Sequence, residues 1–172
     1  MDDAAVGAFL ELLRFPSIST DPAHRAEVGA CAEWVAARFR AMGLEVELCR
    51  TPGHPLVLAR NAHRPDRRTV LIYGHYDVQP ADPLELWEHP PFEPRIRDGI
   101  VTARGATDNK GQFFAHMLGV EATLRAKGDL PVNLIFLVEG EEEVGSQSLG
   151  PFLEANRERL ACDVIAISDT GM

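Results

Sequence analysis

The sequence TVLIYGHYD at residues 69–77 passes from an apolar run into polar residues. Residues 69–73 form a nearly continuous apolar stretch, which is typical of a strand buried on both faces of a parallel sheet. Ligands of an open parallel sheet bind beyond the carboxyl ends of its strands. His75 and Asp77 follow this strand directly, so they are the first candidates for a functional site.

Four other strands of the same sheet are predicted around this one. Residues 132–138 and 163–168 are two more apolar runs, and we expect both to be buried strands, with 69–73 at the centre of the sheet. Residues 44–50 and 55–61 are shorter strand candidates.

A separate two-stranded ribbon is predicted where Asp98 and Gly99 lie between Arg95–Arg97 and residues 100–103. The Asp-Gly dipeptide favours a tight hairpin, because both of its residues can take positive φ.

Four helices are predicted among these strands. Apolar residues recur every three or four positions in 25–42 and 110–127, and a glycine follows each segment. Shorter helices are expected near 6–13 and over 148–160. The alternation of helix and strand predicts an α/β fold, in which a mostly parallel or mixed sheet carries helices on both faces.

The composition is that of an acidic globular protein. The 172 residues include 17 Lys and Arg against 26 Asp and Glu, which gives a formal charge of −9, and 45% are hydrophobic. A chain of this size buries roughly 70% of its unfolded surface, which excludes intrinsic disorder. The net negative charge opposes binding to nucleic acid or to an anionic membrane, so we expect neither as a partner and favour metal cations.

The chain shows no secretory leader and no run of 18 apolar residues. Cys31, Cys49 and Cys162 are odd in number and form no CxxC pair, which indicates free thiols in a reducing compartment rather than disulfides. We therefore expect a soluble, cytoplasmic protein.

Carboxylates and one imidazole follow four of the predicted elements. His75 and Asp77 follow the first strand, Asp108 follows the ribbon, three glutamates at 141–143 follow the second apolar strand, and Asp169 follows the last. In an extended chain, side chains two positions apart point to the same face. One residue of the pair His75 and Asp77 could therefore bind a metal while the other orients the ligating side chain. Nitrogen with several carboxylates suits zinc, or next manganese and cobalt, better than calcium.

Each of these residues also has an interpretation without a metal. A His-x-Asp pair can be a hydrogen-bonded turn, Asp108 could be the N-cap of the following helix, and adjacent glutamates are often a solvated acidic loop. The glutamate run by itself favours neither interpretation over the other. Its spacing does not show which of Glu141, Glu142 and Glu143 would take part in a metal site. Convergence of four loops at one sheet edge favours the metal site.

Three segments carry a resemblance to a known family. Residues 73–80 (YGHYDVQP), 103–111 (ARGATDNKG) and 139–146 (EGEEEVGS) occur in this order. Through them the chain resembles the zinc-dependent peptidases that include carnosine dipeptidase, aminoacylase, acetylornithine deacetylase and succinyl-diaminopimelate desuccinylase. Residues 82–87 and 90–94 are most similar to the dipeptidase branch.

The resemblance implies a centre of two divalent metal ions, zinc or else manganese or cobalt. It implies that His75 and Asp169 bind one metal, that Glu143 binds the other, and that the carboxylate of Asp108 bridges the two. It also implies a cis peptide bond after Asp108, between it and Asn109.

The resemblance also implies two catalytic roles. By motif position, Asp77 is the residue that orients His75. Glu142 is the general base, which handles the proton of the attacking water.

The activity implied by the resemblance is hydrolysis of the amide bond of dipeptides. N-acyl amino acid deacylation and a non-catalytic metal-binding fragment are the alternatives. In the family, a further metal-ligating histidine, the rest of the catalytic domain and a lid or dimerisation domain lie beyond the position of Met172. The resemblance therefore implies that residues 1–172 are the N-terminal portion of one catalytic domain and are inactive alone, with a small peptide as substrate and a homodimer as the full-length state.

Overall fold

Seven strands and four α-helices form in residues 3–169, the part of the chain that the computed structural model describes. The helices are α1 (Asp3–Leu13), α2 (Arg25–Ala41), α3 (Lys110–Lys127) and α4 (Leu149–Ala155). The strands are β1 (Glu45–Cys49), β2 (Leu56–Arg60), β3 (Thr69–His75), β4 (Arg95–Arg97), β5 (Ile100–Thr102), β6 (Asn133–Glu139) and β7 (Val164–Ile167). The sequence at 1–2 and the tail at 170–172 lie outside the described residues.

Five of the strands form one mixed sheet in the order β1-β2-β6-β3-β7, and β4 pairs with β5 in the separate ribbon. β3 is parallel to both of its neighbours, β6 and β7. β2 is antiparallel to both β1 and β6. The predicted α/β class with a mixed sheet is confirmed, but β6 rather than β3 is central, because β2 and β1 extend the sheet beyond β6.

Alternating side chains along the strands build two cores, one on each face of the sheet. On one face, Ile72 and Phe136 pack against side chains of α1, α2 and α3. On the other face, Leu71 and Ile135 pack with Phe152 of α4. Each of these four strand residues is at most 6% exposed. Burial on both faces explains why β3 and β6 are continuous apolar runs, and the prediction of helices on both faces is confirmed.

The long helices and the ribbon follow their sequence signals closely. α3 ends at Lys127, and Gly128 takes a left-handed backbone with φ of 72°. In the ribbon, Asp98 and Gly99 have φ of 53° and 80°, the two positive values that a tight hairpin requires. None of the helices in residues 3–169 has the length and apolar character needed to cross a membrane.

The helix expected over 148–160 is shorter than predicted. α4 ends at Ala155, and Asn156 leaves the helical backbone with φ of −117°. The side-chain Nδ2 of Asn156 donates a hydrogen bond to the carbonyl of Phe152 at 2.8 Å. The backbone N–H of Asn156 donates to the same carbonyl at 3.0 Å, so Asn156 closes the last helical turn as its C-cap residue.

The prediction that the last strand is buried is wrong. β7 forms, but among residues 3–169 it pairs only with β3, at the edge of the sheet. Its side chains Val164, Ile165 and Ile167 are 46%, 59% and 60% exposed. The apolar run therefore predicted the strand correctly but not its burial, because burial depends on what packs against the strand.

Candidate metal centre

The candidate ligands come together because parallel strands end at the same edge of the sheet. In the β3–β6 pair, His75 lies opposite Glu139, so the glutamate run that follows Glu139 begins beside His75. β7 is parallel to β3 on its other side and brings Asp169 to the same edge. Asp108 arrives from the loop that precedes α3.

His75 lies at the middle of the cluster and is fully buried. Its Nδ1 is 3.1 Å from the Asp77 carbonyl oxygen and 3.4 Å from Asp77 Oδ1. Its Nε2 faces three other carboxylates, at 3.2 Å from Asp108 Oδ1, 3.7 Å from Asp169 Oδ2 and 3.8 Å from Glu142 Oε2. One ring nitrogen is thus held by Asp77, and the other points into a set of oxygen ligands.

The Nε2 atom of His75 is the feature that fits a metal ion. It is buried and has no hydrogen-bond partner among the described residues, although buried polar atoms normally have one. With Nδ1 donating to Asp77, the lone pair of Nε2 is free to bind a cation, which is how ligating histidines are usually arranged.

The ligand atoms fall into two overlapping groups. His75, Glu142 and Asp169 offer one group, and His75, Asp108 and Glu143 offer the other, with the ligand atoms of each group within 4.8 Å of one another. A nitrogen with two carboxylate oxygens suits a divalent cation such as zinc. The resemblance placed Asp108 and Asp169 with His75 on one metal, whereas the structure groups Asp169 with Glu142 and Asp108 with Glu143 around the same imidazole.

The electrostatic environment of His75 favours a positive charge. Burial by itself lowers the pKa of His75, but the hydrogen bond and charge of Asp77, with Glu142 and Asp169, outweigh burial and raise the pKa to about 9. The negative field that favours a proton on the ring also favours a metal cation beside it.

Asp77 connects the His75 loop to the glutamate turn. Besides its contact with His75, its carboxylate accepts hydrogen bonds from the backbone N–H groups of Glu142 at 3.3 Å and Glu143 at 3.1 Å. The hydroxyl of Ser19 donates a third, at 2.6 Å. Asp77 is fully buried, so these three hydrogen bonds offset the free-energy cost of removing its charge from water.

The structure separates the three glutamates, which the sequence left open. Glu141 is buried and points away from His75, since its Oε1 accepts from His54 N at 3.1 Å and its Oε2 accepts from Ser148 N at 3.0 Å. Glu142 and Glu143 face the cluster. Burial raises the pKa of Glu143, and a hydrogen bond from Gln79 Nε2 at 2.5 Å partly offsets this rise.

The alternative interpretation of Asp108 as an N-cap is wrong. Asn109 occupies the N-cap position of α3, and its side chain makes no capping hydrogen bond to the described first turn of the helix. The Asp108 side chain is 60% exposed and lies near His75 Nε2 instead. The peptide bond between Asp108 and Asn109 is cis, as the resemblance implied.

Three residues around the cluster were not singled out from the sequence. Gln79 donates to Glu143, and Asn109 bonds both the His75 loop and Asp169. Glu139, at the end of β6, accepts hydrogen bonds from the hydroxyls of Tyr73 and Ser146. All three lie inside the segments that carried the resemblance, and that position is the signal that could have found them.

Comparisons with known proteins show which family the chain resembles. A family profile described as Peptidase family M20/M25/M40 matches residues 71–172. The Cys-Gly metallodipeptidase dug1 of Schizosaccharomyces pombe is 34% identical over 181 residues, covering 98% of this chain and 38% of that protein. The Beta-Ala-His dipeptidase of Homo sapiens is 42% identical over 120 residues, covering 69% and 24% respectively. The crystal structure of human carnosine dipeptidase 1 superposes with a TM-score of 0.92 at 34% identity, covering 99% of this chain and 39% of that one. The chain thus spans less than two fifths of the length of each of these relatives.

Proposed function

Because this chain belongs to the peptidase family M20/M25/M40, we propose that it serves metal-dependent hydrolysis of the amide bond of dipeptides. The observation that carries the proposal is the buried His75 Nε2, which has no hydrogen-bond partner in the described part of the chain and faces carboxylates from three other loops. These carboxylates are 30% to 60% exposed and lie close together, and clustered negative charges favour a compensating cation.

Four residues are proposed to hold two divalent cations, with zinc as the first candidate. They are His75, Asp108, Glu143 and Asp169. When bound, such cations polarise the scissile carbonyl and lower the pKa of the attacking water. Asp77 fixes the ring of His75 through Nδ1, so that Nε2 remains directed into the centre.

Glu142 is proposed to move the proton. It takes a proton from the water as the hydroxyl adds to the carbonyl carbon. It then gives that proton to the amine nitrogen as the carbon–nitrogen bond breaks. This role requires a carboxylate that lies next to the centre and whose oxygens are not both engaged in other hydrogen bonds. Glu141 does not meet this requirement, since both of its oxygens bond backbone N–H groups.

The substrate class rests on the relatives. The two described above are named as dipeptidases for Cys-Gly and for Beta-Ala-His, and we propose an unblocked dipeptide as the substrate of this protein also. The competing activity is removal of an acyl group from an N-acyl amino acid, because the same chemistry acts on any amide.

The test compares kcat/KM for dipeptides, including Cys-Gly and Beta-Ala-His, with kcat/KM for N-acetyl amino acids. Enzyme loaded with zinc, manganese or cobalt is used, both as this chain and as the longest natural form that contains it. Faster cleavage of dipeptides, abolished by Glu142→Gln, is the expected result. Preference for acetylated substrates would establish a deacylase, and tight metal binding without turnover in either form would establish a non-catalytic metal-binding protein.

A further inference from the structure

We propose that Asn109 is a positioning residue, which holds Asp169 and the His75 loop in the arrangement that binds a cation. The inference rests on the proposed metal centre. Asn109 lies at the start of α3 and is 1% exposed, so the contacts of its side chain are made with protein rather than with water.

The amide of Asn109 joins the ends of β3 and β7. Its Oδ1 accepts a hydrogen bond from the backbone N–H of His75 at 3.2 Å. Its Nδ2 donates to the carbonyl of Ser168 at 3.0 Å and to Asp169 Oδ1 at 3.3 Å. One side chain therefore fixes the backbone of one candidate ligand and the carboxylate of another.

These partners also determine which way the amide points. The His75 side offers a donor, whereas the β7 side offers two acceptors, a carbonyl and a carboxylate. A side chain that accepts at one end and donates at the other satisfies all three groups, and an amide does so in one orientation only.

The contact with Asp169 leaves the other carboxylate oxygen for the metal. Within residues 3–169, Asn109 is the one group that donates a hydrogen bond to this carboxylate. Oδ1 is thereby held on the Asn109 side, while Oδ2 faces His75 Nε2 at 3.7 Å. Because Asp169 follows the exposed edge strand β7, this bond is the restraint that aims its side chain.

The packing beside Asn109 shows that its amide lies very close to the backbone at Gly74. A Cβ at Gly74 would lie 2.8 Å from Asn109 Oδ1 and 2.8 Å from the Cβ of Phe113. Glycine at position 74 therefore lets the amide reach the backbone next to His75 without a clash.

The test measures zinc affinity of the chain by competition with a chromophoric chelator, with cobalt absorption spectra as a second readout. Residues that orient metal ligands typically change metal affinity by 10-fold to 100-fold when removed, and we expect a loss in this range for Asn109→Ala. The cobalt spectrum should also change, since the position of one oxygen ligand is no longer fixed.

Asn133 provides the matched control. It is also a buried asparagine, 3% exposed, and its amide accepts from Arg64 N and donates to the carbonyls of Arg64 and Arg67. It lies at the opposite end of the sheet, at the start of β6. Asn133→Ala should lower the thermal stability at least as much as Asn109→Ala, yet change zinc affinity less than about 3-fold.

A double-mutant cycle identifies the route of the effect. If Asn109 acts by aiming Asp169, then Asn109→Ala should lose little further affinity in a protein that already carries Asp169→Ala. Equal zinc affinity of Asn109→Ala and Asn133→Ala, or full additivity with Asp169→Ala, would overturn the inference. Failure of the unmodified chain to bind zinc would instead overturn the proposed metal centre. If Asn109→Ala does not fold, Asn109→Ser is used, whose hydroxyl is too short to bridge the two loops and which should show the same loss.

Discussion

Glu142 and Glu143 are neighbours in the chain but have different surroundings. Glu143 receives a hydrogen bond from Gln79, and Glu142 lies 3.8 Å from His75 Nε2. The sequence could not distinguish them from Glu141, because three identical side chains follow one another. Their directions are set by distant partners, such as His54, which is 87 positions from Glu141 in the chain.

At the residue scale, we predict opposite effects of changing the two glutamates. Glu142→Gln should keep the metal content and lower turnover by about 10²-fold to 10⁴-fold, because a proton carrier is lost and no ligand is removed. Glu143→Ala should lower the occupancy of one metal. Elemental analysis and initial rates on the same preparations of the longest natural form decide the matter, and normal metal content in Glu143→Ala would show that the two roles are reversed.

The three cysteines, like the glutamates, differ in their surroundings within the fold. All are free thiols, as predicted, with Cys31 and Cys49 buried and Cys162 half-buried. Burial, reinforced by the nearby Glu47, raises the pKa of Cys49 to about 12. Burial also raises the pKa of Cys31, although the charge of Lys110 offsets part of the rise.

We therefore predict that one thiol of the folded chain reacts quickly with Ellman's reagent. At pH 9, only about one Cys49 in a thousand is a thiolate, since the fraction falls tenfold for each unit between the pH and the pKa. Raising the pH from 7 to 9 should leave Cys49 unreactive until denaturant is added. Cys162→Ser should remove the fast phase, and rapid labelling of Cys49 in the native protein would contradict the prediction.

At the scale of elements, α3 combines two glycines with opposite constraints. A Cβ at Gly111 would lie 2.0 Å from the carbonyl oxygen of Ala106, whereas a Cβ at Gly119 would meet nothing within 4 Å. Gly111 thus allows the first turn of the helix to pass close to the loop that carries Asp108.

The two glycines predict a matched pair of substitutions. Gly119→Ala should raise the free energy of unfolding by about 1 kcal/mol, because alanine is the better helix former. Gly111→Ala should lower it by roughly 1–3 kcal/mol through overpacking and should also weaken metal binding, since the displaced loop carries Asp108. Urea unfolding followed by circular dichroism measures both, and equal effects would refute the steric argument.

Elements were predictable where local chemistry decides them. The ends of α3 and the Asp98-Gly99 hairpin follow from glycine and turn preferences that act within a few residues. The exposure of β7 did not follow, because it depends on which elements pack against the strand. The early end of α4 was missed although its C-cap residue, Asn156, is a local signal, since asparagine favours helix ends over helix interiors. Hydrophobic residues mark a strand equally well at an edge and in a core.

At the scale of the whole molecule, the single imidazole limits the number of metals. Both groups of candidate ligands in residues 3–169 use His75, and the lone pair of one Nε2 serves one cation. Zinc in catalytic sites normally has three protein ligands. We predict that this chain binds about one zinc ion tightly and a second one weakly. Dialysis against zinc followed by elemental analysis tests this, and two tightly held ions would reveal a ligand outside the set described.

The open edge of the sheet predicts self-association. β7 has an unpaired side within residues 3–169 and exposes Ile165, which favours strand addition by another chain. Ile165→Lys should lower the association seen by analytical ultracentrifugation, because a charge would have to be buried in the joint sheet. Leu84 is equally exposed, at 59%, but lies outside the sheet, and Leu84→Lys should have little effect. Equal behaviour of the two variants would argue against pairing through β7.

The bonds between Asp77 and the glutamate turn also bear on when the site forms during folding. Asp77 and Glu142 are 65 positions apart and meet only after β3 and β6 have paired in parallel across the intervening ribbon and α3. Contacts of such long range close slowly and late, because the loop entropy is lost before the contacts form. We therefore expect that a nascent or partly unfolded chain has no preformed cluster with which to capture a cation, and that the proposed metal centre can bind one only after the parallel pairing has formed.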